Sequence, residues 1–376
     1  MTAQEILAQL VSIDSVSSRS NVEIAAFLGN FCQALDLRVR QFPYHDEHGV
    51  EKINLIAVAG ADFSDDLIVE LALVGHTDTV PYDPAWTEAL TLTERDGKLF
   101  GRGACDTKAF IAAALAALGD LQPKNLACPL ALIFTADEEI GLMGAKRLAD
   151  LKPLRARYSI VGEPTSLRPI RAGKGYCLAE VKVHGREAHS AYPSFGASAI
   201  LRAARLLTRI EKLAEELQIE IYPAFEPSYT TLNVGVISGG TAKNVIPGEC
   251  SFTLEWRPIP TQEAEFVLDL LKRVIAKEKE NEPDFQVEVE LVRSDYGFET
   301  STDSRVIRLL EDATGQQAGT VAFGTEAPQL IRMGAEAVVL GPGDIRVAHR
   351  TGEYVPIGQL MRCSEILKHV IKTLCG

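Results

Sequence analysis

Apolar positions along this chain keep one rhythm in the first half and another in the middle. Early on, unbroken apolar runs of strand length alternate with stretches of helical spacing. Residues 3–10 and 22–35 carry apolar side chains at three- and four-residue intervals and predict helices. Residues 55–58 and 67–74 predict strands, as do 130–136 and 158–161. Residues 108–118, rich in Ala and Leu, predict a helix that Gly119 is placed to end, and 141–148 predict a shorter one. Strands that are continuously apolar rather than alternating, with helices between them, imply a sheet covered on both faces. The polar stretch 44–51 reads as a loop, with His45 and His48 in solvent.

After Gly173-Lys174-Gly175 the strands alternate apolar and polar residues, at 178–183, 249–256 and 285–292. With a strand at 231–236 and helices at 197–217 and 262–277, the order is β-α-β-β-α-β, the ferredoxin-like arrangement. Continuous-strand texture then resumes with a helix at 304–314, a strand at 337–340 and a helix at 356–374. The chain therefore reads as an α/β domain, 1–175 and 293–376, interrupted by an α+β block at 176–292.

Bulk properties narrow the function. A chain of 376 residues is long for one core. With 46% hydrophobic and 24% charged residues, it reads as compact and globular. No apolar run approaches the ~20 residues of a membrane helix. The start, Met1-Thr2-Ala3-Gln4-Glu5, lacks the basic and apolar segments of a signal peptide, so a cytoplasmic protein is expected. A net charge of −13 argues against nucleic acid, whose phosphates demand clustered Lys and Arg. Seven scattered cysteines with no CxxC pair read as free thiols in a reducing compartment. Cys105 stands apart because it adjoins a candidate metal ligand.

The candidate chemistry lies where apolar runs end in turns: His76-Thr77-Asp78, Cys105-Asp106, Glu138-Glu139 and Glu163-Pro164, followed much later by His349. An α/β sheet delivers side chains to a cleft at such points. Each motif alone has a plainer explanation. His76 and Asp78 could be a surface histidine beside an acid. Asp106 could cap a helix. Glu138 and Glu139 could sit in a solvated loop, and His349 could be an ordinary loop residue. Together they supply two imidazoles and five carboxylates, enough for two divalent cations with carboxylates left for proton transfer. Alternation along a strand would put Asp78 on the side of His76, where it could accept the spare ring N–H. Hard O/N ligands favour zinc, cobalt or manganese over soft-metal chemistry.

These residues resemble the M20 family of co-catalytic metallopeptidases and deacylases. The resemblance rests on Gly75-His76-Thr77-Asp78-Thr79-Val80-Pro81, Gly101-Arg102-Gly103…Asp106-Thr107-Lys108, Thr135-Ala136-Asp137-Glu138-Glu139, Gly162-Glu163-Pro164-Thr165 and Gly341-Pro342-Gly343. It implies a metal-dependent exopeptidase-like catalytic domain with a mixed sheet, plus an inserted ferredoxin-like lid and dimerisation domain. It also implies two divalent metal ions, zinc first and cobalt or manganese next. His76, Asp106 and Glu163 would hold one, and Asp106, Glu139 and His349 the other. Glu138 would be the general base, with Asp78 also among the catalytic residues, and a cis peptide would follow Asp106. His189 would reach the active site of a second subunit in a homodimer. Asn244, Arg257, Gly324 and Thr325 would bind a small acyl-amino-acid substrate.

Two departures stand out: Thr107-Lys108-Ala109 where many relatives have Met-Lys-Gly, and Cys105 where Ala is common. Two readings compete with the resemblance. One is a binding module that keeps the fold without catalysis. The other is a thiol hydrolase built on Cys105, which would need a histidine base.

Overall fold

The continuous apolar runs become the centre of a nine-stranded mixed sheet in a computed structural model that describes all 376 residues. Its strand order runs Arg38–His45, Glu51–Ala59, Leu130–Thr135, Ile68–His76, Arg155–Val161, Glu336–Val339, then the short strands Ile170–Gly173 and Phe298–Glu299. Gly319–Val321 pairs with Ile170–Gly173 off this path. The four central strands, Leu130–Thr135 through Glu336–Val339, run parallel. All four therefore release the chain at the same edge of the sheet.

Both faces of this sheet are covered. Alternate residues Leu55, Ala57, Leu71, Leu73, Leu130 and Leu132 join one core with the helices Ala3–Ser12, Val22–Ala34, Lys108–Leu121 and Ile357–Cys375. Their neighbours Ile56, Val58, Ala72, Val74, Ala131 and Ile133 point the other way and are buried too. Met143–Leu151 and Ala327–Arg332 pack together on strands of this sheet. That is why these strands show no polar alternation.

Two local expectations are overturned. Gly119 does not end its helix, which runs on to Leu121 and stops at Gln122, where φ is 54°. One glycine costs a helix only about 1 kcal/mol, and packing against Ile357–Cys375 and Ala3–Ser12 outweighs that. The stretch expected as a loop at 44–51 begins inside an edge strand, Arg38–His45, paired antiparallel with Glu51–Ala59. Arg38, Arg40 and Gln41 face solvent there, so the strand lacks an apolar signature. His45 and His48 are exposed, as expected.

The chain divides into two compact units: Met1–Arg171 with Glu299–Gly319 and Thr325–Gly376, and Ala172–Phe298 with Thr320–Gly324. The second unit begins a few residues before 176 because its own contacts hold that segment. Lys174 Nζ donates to Pro227 O at 2.7 Å and Tyr229 O at 2.6 Å, and Gly175 N donates to Pro258 O at 2.9 Å. Thr320 Oγ1 donates to Ala224 O at 2.6 Å.

Within the second unit an antiparallel sheet runs Thr231–Gly239, Glu249–Arg257, Tyr176–His184, Gln286–Asp295. Ala199–Glu216 and Phe266–Asn281 bury their apolar stripes against one face, around Phe252, Trp256 and Leu206. This is the ferredoxin-like order the alternating strands predicted. No helix anywhere in the chain is long and apolar enough to cross a membrane.

Candidate active site

The parallel strands explain why distant motifs meet. Ile68–His76 ends in His76 itself, Leu130–Thr135 leads to Glu138 and Glu139, and Arg155–Val161 leads to Glu163. Glu336–Val339 leads through Gly341-Pro342-Gly343 towards His349. Hydrogen bonds beyond the strand ends lace these turns together. Thr77 N and Oγ1 both donate to Thr135 O at 2.8 Å, and Thr107 Oγ1 donates to Gly162 O at 2.9 Å. Ser166 N donates to Gly343 O at 2.7 Å, and Ile345 N to Pro164 O at 3.1 Å. Gly343 is required where it stands: its φ is +92°, and a Cβ there would lie 2.4 Å from Cys105 Sγ.

His76, Asp106 and Glu139 offer ligand atoms that all lie within 4.8 Å of one another. His76 Nε2 is 3.0 Å from Asp106 Oδ1. The other oxygen of Asp106 lies 3.1 Å from His349 Nε2, which is also 3.0 Å from Glu139 Oε1. One carboxylate thus spans two imidazoles. Asp106 does not cap the helix behind it; Thr107 occupies that position, and the Asp106–Thr107 peptide is cis.

Asp78 departs from the expected arrangement. The ring Nδ1 of His76 is 3.0 Å from the main-chain carbonyl of Asp78 but 3.7 Å from its carboxylate. The strand ends at His76, so strand alternation no longer governs Asp78. Its carboxylate instead accepts Glu138 N at 3.1 Å, Glu139 N at 3.2 Å and Ser17 Oγ at 2.7 Å. Asp78 therefore shapes the turn that carries the two glutamates. Asp137 enters that turn with a left-handed φ of 56°, held by Lys52 Nζ at 2.7 Å and Tyr44 OH at 2.8 Å.

The charge balance fits divalent cations. A carbonyl can only accept, so His76 Nδ1 carries a proton, and in the neutral ring its Nε2 is a lone pair facing Asp106 Oδ1. His349 Nε2 faces two carboxylate oxygens. Such pairs need a proton or a cation between them. Without a metal, protons are held tightly. Burial opposes charge on His76, but Asp106, Asp78 and Glu138 outweigh it and raise its pKa well above the usual value. Hydrogen bonds to Asp106 and Glu139 push His349 up to about 10. Burial, reinforced by neighbouring acids, raises Glu138 and Glu163 well above the carboxylate range. Carboxylates crowded beyond what two imidazoles can neutralise, on hard O/N donors, match a divalent-metal site. Glu163 stands outside the tight group of ligand atoms, although Asp106 and His76 both influence its charge.

The sequence pattern of Peptidase family M20/M25/M40 matches residues 72–373. The chain belongs to this family. An acetylornithine deacetylase of Myxococcus xanthus is 52% identical over 371 residues, covering 98% of this chain and 97% of that protein. One from Proteus mirabilis (strain HI4320) is 34% identical over 381 residues, covering 99% and 96%. A tripeptidase structure from Staphylococcus aureus superposes with a TM-score of 0.78 at 24% identity, covering 99% and 97%. An M20 metallo-carboxypeptidase from Sulfolobus solfataricus gives 0.77 at 18%, covering 98% of each chain. These two structures carry the fold only.

The other expected M20 positions have the following local surroundings. His189 is exposed on a two-stranded ribbon, Ala188–His189 with Val245–Ile246, and its Nδ1 accepts Ala191 N at 3.1 Å. The ribbon brings Asn244 close, since Asn244 O accepts Ser190 N at 3.0 Å. Arg257 is half-buried, with its guanidinium 4.2 Å from the centre of the Tyr176 ring, Nε 2.9 Å from Glu255 Oε1 and Nη1 3.1 Å from Ala322 O. Gly324 ends the segment Thr320–Gly324 of the second unit, and buried Thr325 resumes the first, its Oγ1 accepting Ala327 N at 3.3 Å.

Cys105 is buried, and burial raises its thiol well above the usual value, the opposite of an activated nucleophile. Ser17, Lys52, Arg102, Glu326 and Glu353 are supporting residues that sequence reasoning gave no role. Arg102 lay inside the Gly101-Arg102-Gly103 motif; for the others no local signal existed.

Proposed function

We propose that the chain hydrolyses the amide of N2-acetyl-L-ornithine, releasing L-ornithine and acetate, a step of arginine biosynthesis. The observation that carries this reading is 52% identity, over 98% of the chain, to a relative of that name. The convergence of His76, Asp106, Glu139 and His349 supports the chemistry.

His76, Asp106 and Glu163 would hold one divalent ion, and Asp106, Glu139 and His349 the other, with Asp106 shared. When bound, such a pair acts as a Lewis acid on the acyl carbonyl and lowers the pKa of a water towards ~7. Zinc is the first candidate, cobalt or manganese the next. Glu138 is the general base. It receives the proton of the attacking water and passes it to the departing amine. Its main-chain N–H is pinned to Asp78, which fixes where the carboxylate starts. Arg257 and Asn244, with Gly324 and Thr325, orient the substrate through its α-carboxylate. His189 stabilises the oxyanion of a second copy's substrate.

The last role requires a homodimer. A free-edged strand, Thr231–Gly239, supports one: it exposes Val236 and Ile237. Seven free cysteines suit the cytoplasm.

A side-by-side assay on acetylornithine, acetylcitrulline, succinyl-diaminopimelate and a short peptide, with zinc, cobalt or manganese loaded, tests the reading. Acetylornithine should give the highest kcat/KM. Preference for another substrate would reassign the specificity. Mixing His189→Ala and Glu138→Ala subunits should restore some activity; no recovery would remove the cross-subunit histidine.

A further inference from the structure

Glu353 shares a loop with His349 and is 1% exposed. Its carboxylate is fully engaged. Oε1 accepts Cys105 N at 2.8 Å and Asp106 N at 3.0 Å, while Oε2 accepts from Arg102 Nη1. The main chain of Glu353 is tied to the same turn, because Gly101 N donates to its carbonyl at 3.1 Å. Towards His349, Glu353 N donates to Arg350 O at 3.2 Å. Arg102 is itself buried and braced, with Nη2 donating to Pro81 O at 3.2 Å and its guanidinium 5.5 Å from the Trp86 ring centre.

One side chain thus bonds the main-chain N–H of Asp106 and belongs to the loop carrying His349. A buried N–H left without a partner costs about 1–3 kcal/mol, so a fold could keep Glu353 for stability alone. The geometry says more. Asp106 must aim its two oxygens in two directions, and His349 projects from a backbone with φ of 59° that no strand supports. Arg102 neutralises the added carboxylate, so Glu353 aligns Asp106 without adding net charge beside it.

We propose that Glu353 is a positioning residue that sets the relative aim of Asp106 and His349 and thereby the affinity of the cation they share. The inference rests on the reading of those two residues as metal ligands.

The test compares wild type with Glu353→Ala, Glu353→Gln and Arg102→Met. Stepwise Zn2+ affinity is read by competition with a chromophoric chelator, ligand geometry by the visible spectrum of the Co2+-loaded protein, and stability by thermal melting. Glu353→Ala should weaken one of two sites by ~10–100-fold, the range for residues supporting a metal ligand. It should alter the Co2+ spectrum and lower kcat more than it changes KM. Glu353→Gln keeps an oxygen able to accept both N–H groups and should fall between; if the alanine variant does not fold, the glutamine variant decides. Arg102→Met breaks the ion pair but leaves those acceptors, so it should lower Tm while losing less metal affinity than Glu353→Ala. Affinities within two-fold of wild type in both Glu353 variants, or losses that track Tm across all three, would overturn the proposal. A wild-type chain that binds no metal would instead refute the metal reading itself.

Discussion

His76 and His349 reach the same carboxylate from opposite kinds of structure. His76 ends a parallel strand, is 1% exposed, and has its ring fixed by the carbonyl of Asp78. His349 projects from a loop, its side chain is 49% exposed, and its ring nitrogen meets only the acids Asp106 and Glu139. Half of the site is therefore held by the sheet, and the other half is drawn together by charge. A carboxylate–imidazole contact that exposed is weakened by solvent and salt, so the cation has most to organise on the His349 side.

The largest effect expected touches neither histidine. Glu138→Gln removes the proposed base but no proposed ligand, so kcat should fall at least ~100-fold with metal content unchanged. Loss of metal in that variant would move Glu138 into the ligand set. The two histidines should then separate. His349→Ala should abolish or strongly weaken one metal site while the Tm of the metal-free chain barely moves. His76→Ala should weaken metal binding and also lower that Tm, because it opens a hole in a buried network. Equal behaviour of the two would contradict that difference between the histidines.

Asp78→Ala probes the sheet-held half without touching a proposed ligand. It strips Glu138 N, Glu139 N and Ser17 Oγ of their acceptor. The metal-free fold should lose about 1–3 kcal/mol in denaturant titration, and kcat should drop because the glutamate turn loosens.

The smallest effect depends on pH. Glu326 is 1% exposed, and its Oε1 has no hydrogen-bond partner. Burial pushes its pKa from 4.5 up to about 7. A raised carboxyl binds its proton more tightly folded than unfolded. Its stabilising share is therefore complete below pH ~4.5 and is lost as pH rises through about 7. Glu326→Gln, which cannot ionise, should leave the unfolding free energy of the metal-free chain unchanged near pH 4.5 and raise it at pH 8, by at most about 3 kcal/mol. No gain at pH 8 would mean that water or a cation already meets that charge.

Much of the sheet-held half was legible in the sequence. Continuous apolar strands announced a sheet covered on both faces, and acids and histidines placed just past their ends had to share an edge once those strands ran parallel. The ferredoxin-like block declared itself through alternation at 178–183, 249–256 and 285–292. What escaped lay where local pattern stops carrying information. Arg38–His45 was hidden because an edge strand can be polar. The carboxylate of Asp78 was assigned to His76 by strand alternation, yet the strand had already ended. The grip of Glu353 on Cys105 and Asp106 spans most of the chain, and only the folded topology reveals it.

His76, Asp106, Glu139, Glu163 and His349 are proposed to hold two divalent cations jointly. Titrating the metal-free chain with Zn2+ by calorimetry, with bound metal counted by mass spectrometry, tests it directly. Two ions per wild-type chain and one per His349→Ala chain are expected. A wild-type chain that binds none, or a count that His349→Ala leaves at two with unchanged affinity, would contradict it.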